Sequence, residues 1–226
     1  MIWNMFPELA EEIRKTHLAE GLTGGGHDFE HAARVGQYAL VIAPAPAIGR
    51  VAGVAGLCHN ADRVLQHRFS VGRRDVPKEK MEELVGAWLE LTDLGKEERA
   101  LVVDAVLKHD GRNSPLDSPV LMALMDADRL VNVELDLVIR CGQFQPDLPA
   151  VDFVHFLSDP EANYRNPKSV LRDISHSLEW ENGPFCLRSP KAIGMGKQRF
   201  QALRGYLNTL EAQLRVVERA RLDDSG

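Results

Sequence analysis

The chain has 226 residues, 44% hydrophobic and 27% charged, the balance of an ordinary globular protein long enough to bury a sizeable core. Lys and Arg number 27 against 33 Asp and Glu, a net charge of -6, which argues against a general polyanion binder and does not favour nucleic acid as a partner. Three cysteines exclude a disulfide scaffold and suit a reducing compartment; no apolar run approaches the roughly 18 residues of a membrane helix, and residues 1–15 lack the basic-then-apolar order of a secretion signal, so a cytoplasmic protein with no membrane partner is expected.

Helical spacing dominates the pattern. Residues 7–20 place Leu9, Ile13 and Leu18 on roughly one face, and four glycines within 21–26 then break the chain. Residues 28–43 carry a broad apolar face of Phe29, Ala32, Ala33, Val35, Gly36 and Ala39, and Pro44 and Pro46 end that helix. Residues 48–58 are nearly all small or aliphatic and read as a fully buried helix. Pro77 opens a helix reaching residue 91, and 96–108 forms the next with Leu101, Val102, Ala105 and Val106 inside. Pro119 opens another through Leu130 and on toward Ile139. Residues 143–166, rich in Pro, Asp and aromatic side chains, read as an irregular excursion. Residues 169–180 read as helical, and 190–219 as a long amphipathic helix with Phe200, Leu203, Leu207, Leu210 and Leu214 in one stripe; 222–226 read as a frayed tail. Trp88, Phe153, Phe156 and Trp180 fall at core-like spacings, and Gly24-Gly25-Gly26 lacks the spacing of a nucleotide-binding loop. The expectation is an all-α single domain over 1–226, with a core over 20–142 and an extension, 143–226, packed on it.

Several polar residues sit where apolar ones are expected. His59-Asn60 closes the most apolar segment, His31 lies beside Ala32, Ala33 and Val35, and Asp126 and Asp128 interrupt the apolar run 121–130. A carboxylate buried in such a run is costly unless it is paired, hydrogen-bonded or bound to a metal. Taken singly, these residues read as satisfied core polar groups, with Asp128 paired to an arginine. Taken together on three separate helices, they read as a converging set of ligands, and imidazole with carboxylate suits Zn, Mn, Fe or Ni. Cys58 reads as a buried thiol, and Cys141 and Cys186 lack the spacing of a zinc knuckle.

Three strings carry a family resemblance. They are His27-Asp28-Phe29-Glu30-His31-Ala32-Ala33-Arg34-Val35, Ala55-Gly56-Leu57-Cys58-His59-Asn60 and Met125-Asp126-Ala127-Asp128-Arg129-Leu130, with a closing helix from Ser189-Pro190-Lys191-Ala192 through Gln198-Arg199-Phe200 to Tyr206-Leu207. In this order the chain resembles the HD-domain superfamily of metal-dependent phosphohydrolases, in particular its small bacterial members. The resemblance implies an HD-domain-like helical bundle that holds one divalent ion (Mn, Ni, Zn, Fe or Mg) through His31, His59 and Asp128. The fourth ligand of the family is an Asp, and this chain has Asn60 in its place. An amide carbonyl can approach a cation, but it is neutral, and loss of the charge weakens metal binding and alters the acidity of bound water. Asp62 shares a face with His59 if the helix continues; otherwise it reads as a surface partner of Arg63.

Further roles follow from the resemblance and from the charges. Asp28 caps the helix of His31 and flanks the site; Asp28 and Asp126 are both candidates for a water-orienting base. His109 resembles an additional histidine that HD domains place near the metal, and His67 is a candidate for the same mouth. Arg34 and Arg63 are candidate phosphate contacts, and Arg63, Arg68, Arg73 and Arg74 with Lys78 and Lys80 form either a solvated basic loop or a steering mouth. Arg129 either orients a ligand carboxylate or pairs with Asp126. The expected function is metal-dependent hydrolysis of a small phosphorylated substrate, a nucleotide-like phosphoester or phosphoanhydride. The alternative is a degenerate HD domain that binds a nucleotide or protein partner without hydrolysis. The sequence leaves the oligomeric state open.

Overall fold

The computed structural model describes residues 1–24, 26–72 and 75–223, of which 216–223 are described by backbone alone. Prolines in the first turn, where the missing N–H is one that no helix would use, start several helices, among them α2 (Pro7–Ala19), α4 (Pro46–Cys58) and α8 (Pro119–Val131). Side-chain caps fix others. Asp28 accepts from the His31 N–H at the start of α3 (Phe29–Ile42), and Ser169 does the same for Arg172 at the start of α10 (Val170–His176). The remaining helices are α1 (Ile2–Met5), α5 (Ala61–Phe69), α6 (Lys78–Leu89), α7 (Lys96–Lys108), α9 (Leu137–Phe144) and α11 (Pro190–Asp223). A 3-10 turn, Ser177–Glu181, follows α10. Among the described residues no strand forms; Asn163 and Asn166 make one isolated bridge. The all-α bundle expected from the periodicity is what the chain adopts.

The centre is α4, packed against α3, α7 and α8. Its small residues let backbones approach closely. A Cβ at Gly56 would lie 2.5 Å from the Gly36 Cα, and one at Gly36 would lie 2.8 Å from the Gly53 carbonyl oxygen. Within 48–58, Gly49 and residues 51–58 are buried as their composition predicts, for a geometric reason that goes beyond hydropathy, while Ile48 and Arg50 are half-buried. A second, smaller core holds the extension together: Leu137, Val170, Leu171, Ile174, Leu203 and Leu207 pack apart from the main cluster.

Several expected details differ. Helices α1 and α5 were not expected; the segment after His59-Asn60 is helical and buries Ala61, Asp62, Val64 and Leu65 rather than looping. Helix α8 stops at Val131, where Asn132 ends it, and α9 is separate. On α2, Leu18 is 57% exposed and His17 takes its place in the buried stripe with Leu9, Ala10 and Ile13. Leu101 and Phe153 are exposed rather than internal, Trp88 is buried, and Phe156 and Trp180 are half-buried against the cores. In α11, Phe200, Leu203 and Leu207 are buried while Leu210 and Leu214 are only half-buried. That helix continues to Asp223, and the rest of the expected tail, 224–226, lies outside the described residues, as do Gly25, Arg73 and Arg74.

Two predictions follow from this packing. Gly56→Ala forces α3 and α4 apart and lowers stability by about 3 kcal/mol, whereas Gly86→Ala, whose added Cβ meets nothing within 4 Å, raises it by about 0.5–1 kcal/mol; urea denaturation reads both. Burial pushes the His17 imidazole down from 6.5 to about 4, so the unfolded chain takes up this proton first. Its contribution to stability is complete above pH 6.5 and falls by about 3 kcal/mol as the pH drops toward 4; His17→Leu flattens that part of the pH–stability curve.

Candidate metal centre

Three helices deliver one ligand each. His31 sits in the first turn of α3, His59 closes α4, and Asp128 lies on α8. His31 and His59 are 1% and 2% exposed, and the Asp128 side chain is 20% exposed. The His31 Nε2 lies 3.2 Å from the Asp128 Oδ1 and the His59 Nε2 3.9 Å from it, and the potential ligand atoms of the three residues all lie within 4.8 Å of one another. Ligands bound at 2.0–2.2 Å in a tetrahedron stand about 3.4 Å apart, so these separations fit a single ion. The His31 Nε2 is buried and, despite its nearness to Asp128, makes no hydrogen bond. A buried ring nitrogen and a carboxylate oxygen that face each other without a well-formed hydrogen bond are an arrangement a cation relieves.

Helix ends set the tautomers. The last carbonyls of a helix lack intrahelical donors. His59 gives its Nδ1–H to the Gly56 carbonyl at 2.7 Å, and His109, at the end of α7, gives its own to Val106 at 2.7 Å. A carbonyl only accepts, so each ring carries a proton on Nδ1 and presents Nε2 to the cleft. Burial holds the His59 imidazole down at about 3, against the opposing pull of the Asp128 charge, and His59 is therefore neutral. Burial alone would raise the Asp128 carboxyl, but its close contact with the His31 imidazole outweighs burial and holds the group below the usual carboxylate range. Neutral imidazole and ionised carboxylate are the states a metal takes up.

The three residues lie in a cleft of about 400 Å³ that also includes Asn60, Arg63, His109 and Asp110. Its other wall comes from α9 and the extension: Arg140, Phe144, Tyr164, Arg165, Asp173, His176 and Trp180. Imidazole rings form a row along the floor, with centroids 5.8 Å apart for His27 and His31, 5.1 Å for His31 and His59, and 5.4 Å for His59 and His109.

The structure sorts the expected site residues. His31, His59, Asn60, Arg63, His109 and Asp128 share the cleft. Asn60 is 2% exposed and its Nδ2 donates to the His27 carbonyl at 3.2 Å, tying together the loops that carry the two histidines. Arg63 lies over the Phe144 ring and reaches Gln66. Asp126 does not line the cleft: it is wholly buried, and its carboxylate accepts the backbone N–H of Arg188 at 3.1 Å and of Ser189 at 2.7 Å, anchoring the chain before α11. That replaces the expected catalytic role with a structural one. Asp28 caps α3 and lies outside the cleft lining. Arg34 is held by Glu134 at 2.8 Å and Asp136 at 2.7 Å, so its charge is neutralised away from the cleft. His67 is exposed at the end of α5, also outside the lining. Asp62 is buried rather than on the surface, and its Oδ1 accepts the Arg63 backbone N–H at 2.8 Å. Arg68 pairs with Glu20, and Arg73 and Arg74 are outside the described residues. Arg129 bonds Asn113 and the carbonyls of Gly111 and Cys186 in place of Asp126, and the close neighbours of Asp128 are two imidazoles and Asn132 in place of an arginine.

Sequence reasoning missed the far wall. Arg140, Arg165 and His176 lie beyond the point where the helical pattern fails, and only the density of aromatic and charged residues there was a signal. A second group, Asp152, His155 and Asp159, also gathers within 4.8 Å, but its carboxylates close local turns through the N–H groups of Val154, His155 and Glu161, and His155 is 47% exposed. No protein-family model, curated protein or solved structure matches the chain.

The structural role of Asp126 is testable. Asp126→Ala strands the N–H groups of Arg188 and Ser189 and lowers stability by about 2–4 kcal/mol, while metal content per folded molecule stays at the wild-type value; chemical denaturation and elemental analysis read the two separately.

Proposed function

We propose that this chain is a metal-dependent phosphohydrolase acting on a nucleotide-like phosphoester or phosphoanhydride. The observation that carries the reading is the convergence of the His31, His59 and Asp128 ligand atoms within 4.8 Å at the floor of a cleft walled by aromatic and charged side chains. The donor set fits one divalent ion, Zn, Mn, Ni or Fe, better than Mg, which prefers oxygen ligands. Such an ion supplies a Lewis acid that polarises a phosphoryl oxygen and acidifies water. The chain's own residues do the rest. Gly56 holds the His59 ring in the ligating tautomer, and Val106 fixes the His109 ring so that its Nε2 faces the edge of the site. Arg63 and Arg165 place positive charge along the cleft, where it offsets charge on a transferring phosphoryl group. Phe144, Tyr164 and Trp180 offer faces on which a base can stack, which favours a nucleotide over a simple phosphate ester. We place the protein in the cytoplasm, where its three free thiols stay reduced.

A second reading is a domain that binds the same ligand without hydrolysing it. Asn60 favours it: the residue is neutral, and its amide is already engaged with the His27 carbonyl. The two readings separate on metal content. Under the first, the purified protein carries close to one metal ion per chain by mass spectrometry, His31→Ala loses it, and a chelator abolishes turnover in a phosphatase screen with Mn, Ni and Mg. Asn60→Asp then tightens metal binding about tenfold or more by restoring a charge. A wild-type protein without metal beside an Asn60→Asp variant that carries it would overturn hydrolysis in favour of binding.

A further inference from the structure

Asp128 is the one carboxylate of the gathered trio, and Asn60 beside it adds no charge. The direction of that carboxylate decides whether an anionic ligand meets the two imidazoles. Its side chain is 20% exposed, so packing alone does not fix it. The His31 and His59 rings approach its Oδ1 at 3.2 and 3.9 Å, and neither gives it a well-formed hydrogen bond. Asn132 does. It ends α8 one turn after Asp128, and its Nδ2 donates to the Asp128 Oδ1 at 3.0 Å.

The amide is held from behind. Arg140, on α9, donates from Nη1 to the Asn132 Oδ1 at 3.4 Å and from Nη2 to the Val131 carbonyl at 2.8 Å, and its Nε reaches Asp136 at 3.3 Å. A carboxylate only accepts and a guanidinium only donates, so these two neighbours set which way the Asn132 amide points. The Arg140 side chain is 12% exposed. Gly26 lies against it with φ +94°, a left-handed conformation that favours glycine, and a Cβ there would stand 3.3 Å from the Arg140 Nη1.

We propose that Asn132 is a positioning residue: clamped by Arg140, its amide fixes the Asp128 carboxylate toward His31 and His59. The hydrogen bond and the clamp stand on the geometry alone; their consequence for metal rests on the metal-centre reading above. A carboxylate oxygen that accepts one hydrogen bond keeps a second lone pair for a cation, so the same Oδ1 serves both. Arg140 lines the opposite wall of the cleft, so the floor is braced from across it.

The test uses the full chain, labelled with carbon-13 and nitrogen-15, first metal-free and then titrated with zinc. In the metal-free wild type, three-bond couplings from the Asp128 Cγ to its own backbone nitrogen and carbonyl carbon are expected to report a single rotamer. Asn132→Leu keeps the branched shape and removes both amide bonds; it gives rotamer-averaged couplings and weakens zinc binding about 10- to 100-fold. Asn132→Gln, whose longer amide still reaches a carboxylate one turn back on the helix, restores both. Arg140→Met keeps the aliphatic stem. It weakens zinc binding in the wild-type background and not in Asn132→Leu, because Arg140 acts through the amide. An Asn132 that only ends α8 moves the melting temperature and leaves the Asp128 couplings and the zinc affinity of Asn132→Leu at wild-type values; that result overturns the proposal. If Asn132→Leu does not fold, wild-type couplings and zinc affinity in Arg140→Met overturn it instead. If the wild type binds no zinc yet the Asp128 couplings average in Asn132→Leu and recover in Asn132→Gln, the positioning role stands and the metal reading falls.

Discussion

The close crossing of α3 and α4 is the constraint on which the rest of the molecule depends. Side chains any larger than hydrogen at Gly36 and Gly56 would collide with backbone, at 2.8 Å and 2.5 Å. Because those positions are glycine, the two helices run in near contact. His31 precedes the crossing on one helix and His59 follows it on the other, so their rings are brought to 5.1 Å. A wider crossing would keep both histidines in the core and separate their nitrogens beyond the reach of one ion. Helix α8, packed on both α3 and α4, then has a single face on which a carboxylate can meet them, and Asp128 occupies it.

Asp126 and Asp128 lie two residues apart on α8, yet they do opposite things. Two residues is about half a turn, so the side chains leave opposite sides of the helix. Asp128 faces the α3–α4 crossing and meets imidazoles; Asp126 faces the extension and meets two backbone N–H groups and nothing that ligates. Both satisfy the same physical demand, that a buried carboxylate find positive partners, and only one of them builds a site. The same division applies to the arginines. Arg34 and Arg199 share Glu134 and tie α3 to α11, and Arg188 pairs with Asp117; these are clamps between elements. Arg63 and Arg165 face the cleft.

The extension is more than a cover. Its small core of Leu137, Val170, Leu171, Ile174, Leu203 and Leu207 is separate from the main one, so the wall bearing Tyr164, Arg165 and His176 is held by contacts of its own. The tight turn at its edge is closed by two backbone hydrogen bonds between Asn163 and Asn166, 3.1 and 2.9 Å long, and carries Tyr164 and Arg165 at its tip. Substrate selectivity can thus vary in the extension without disturbing the residues that gather at the floor.

The sequence by itself determined the all-α class, the buried identity of α4, most helix starts and the set of polar residues in apolar runs, His31, His59, Asp126 and Asp128, from which the site is drawn. It did so because hydrophobic period, proline placement and polar residues in apolar runs are local properties written in order along the chain. It also made α5 look like a loop, since its apolar residues are few and its charges many; what buries Ala61, Val64 and Leu65 is the neighbouring helices. Only the tertiary structure decided which charged groups face the cleft. That choice depends on helix rotation and on partners a hundred residues away, such as Glu134 for Arg34 and Ser189 for Asp126, and no local pattern encodes which side of a helix meets a distant backbone.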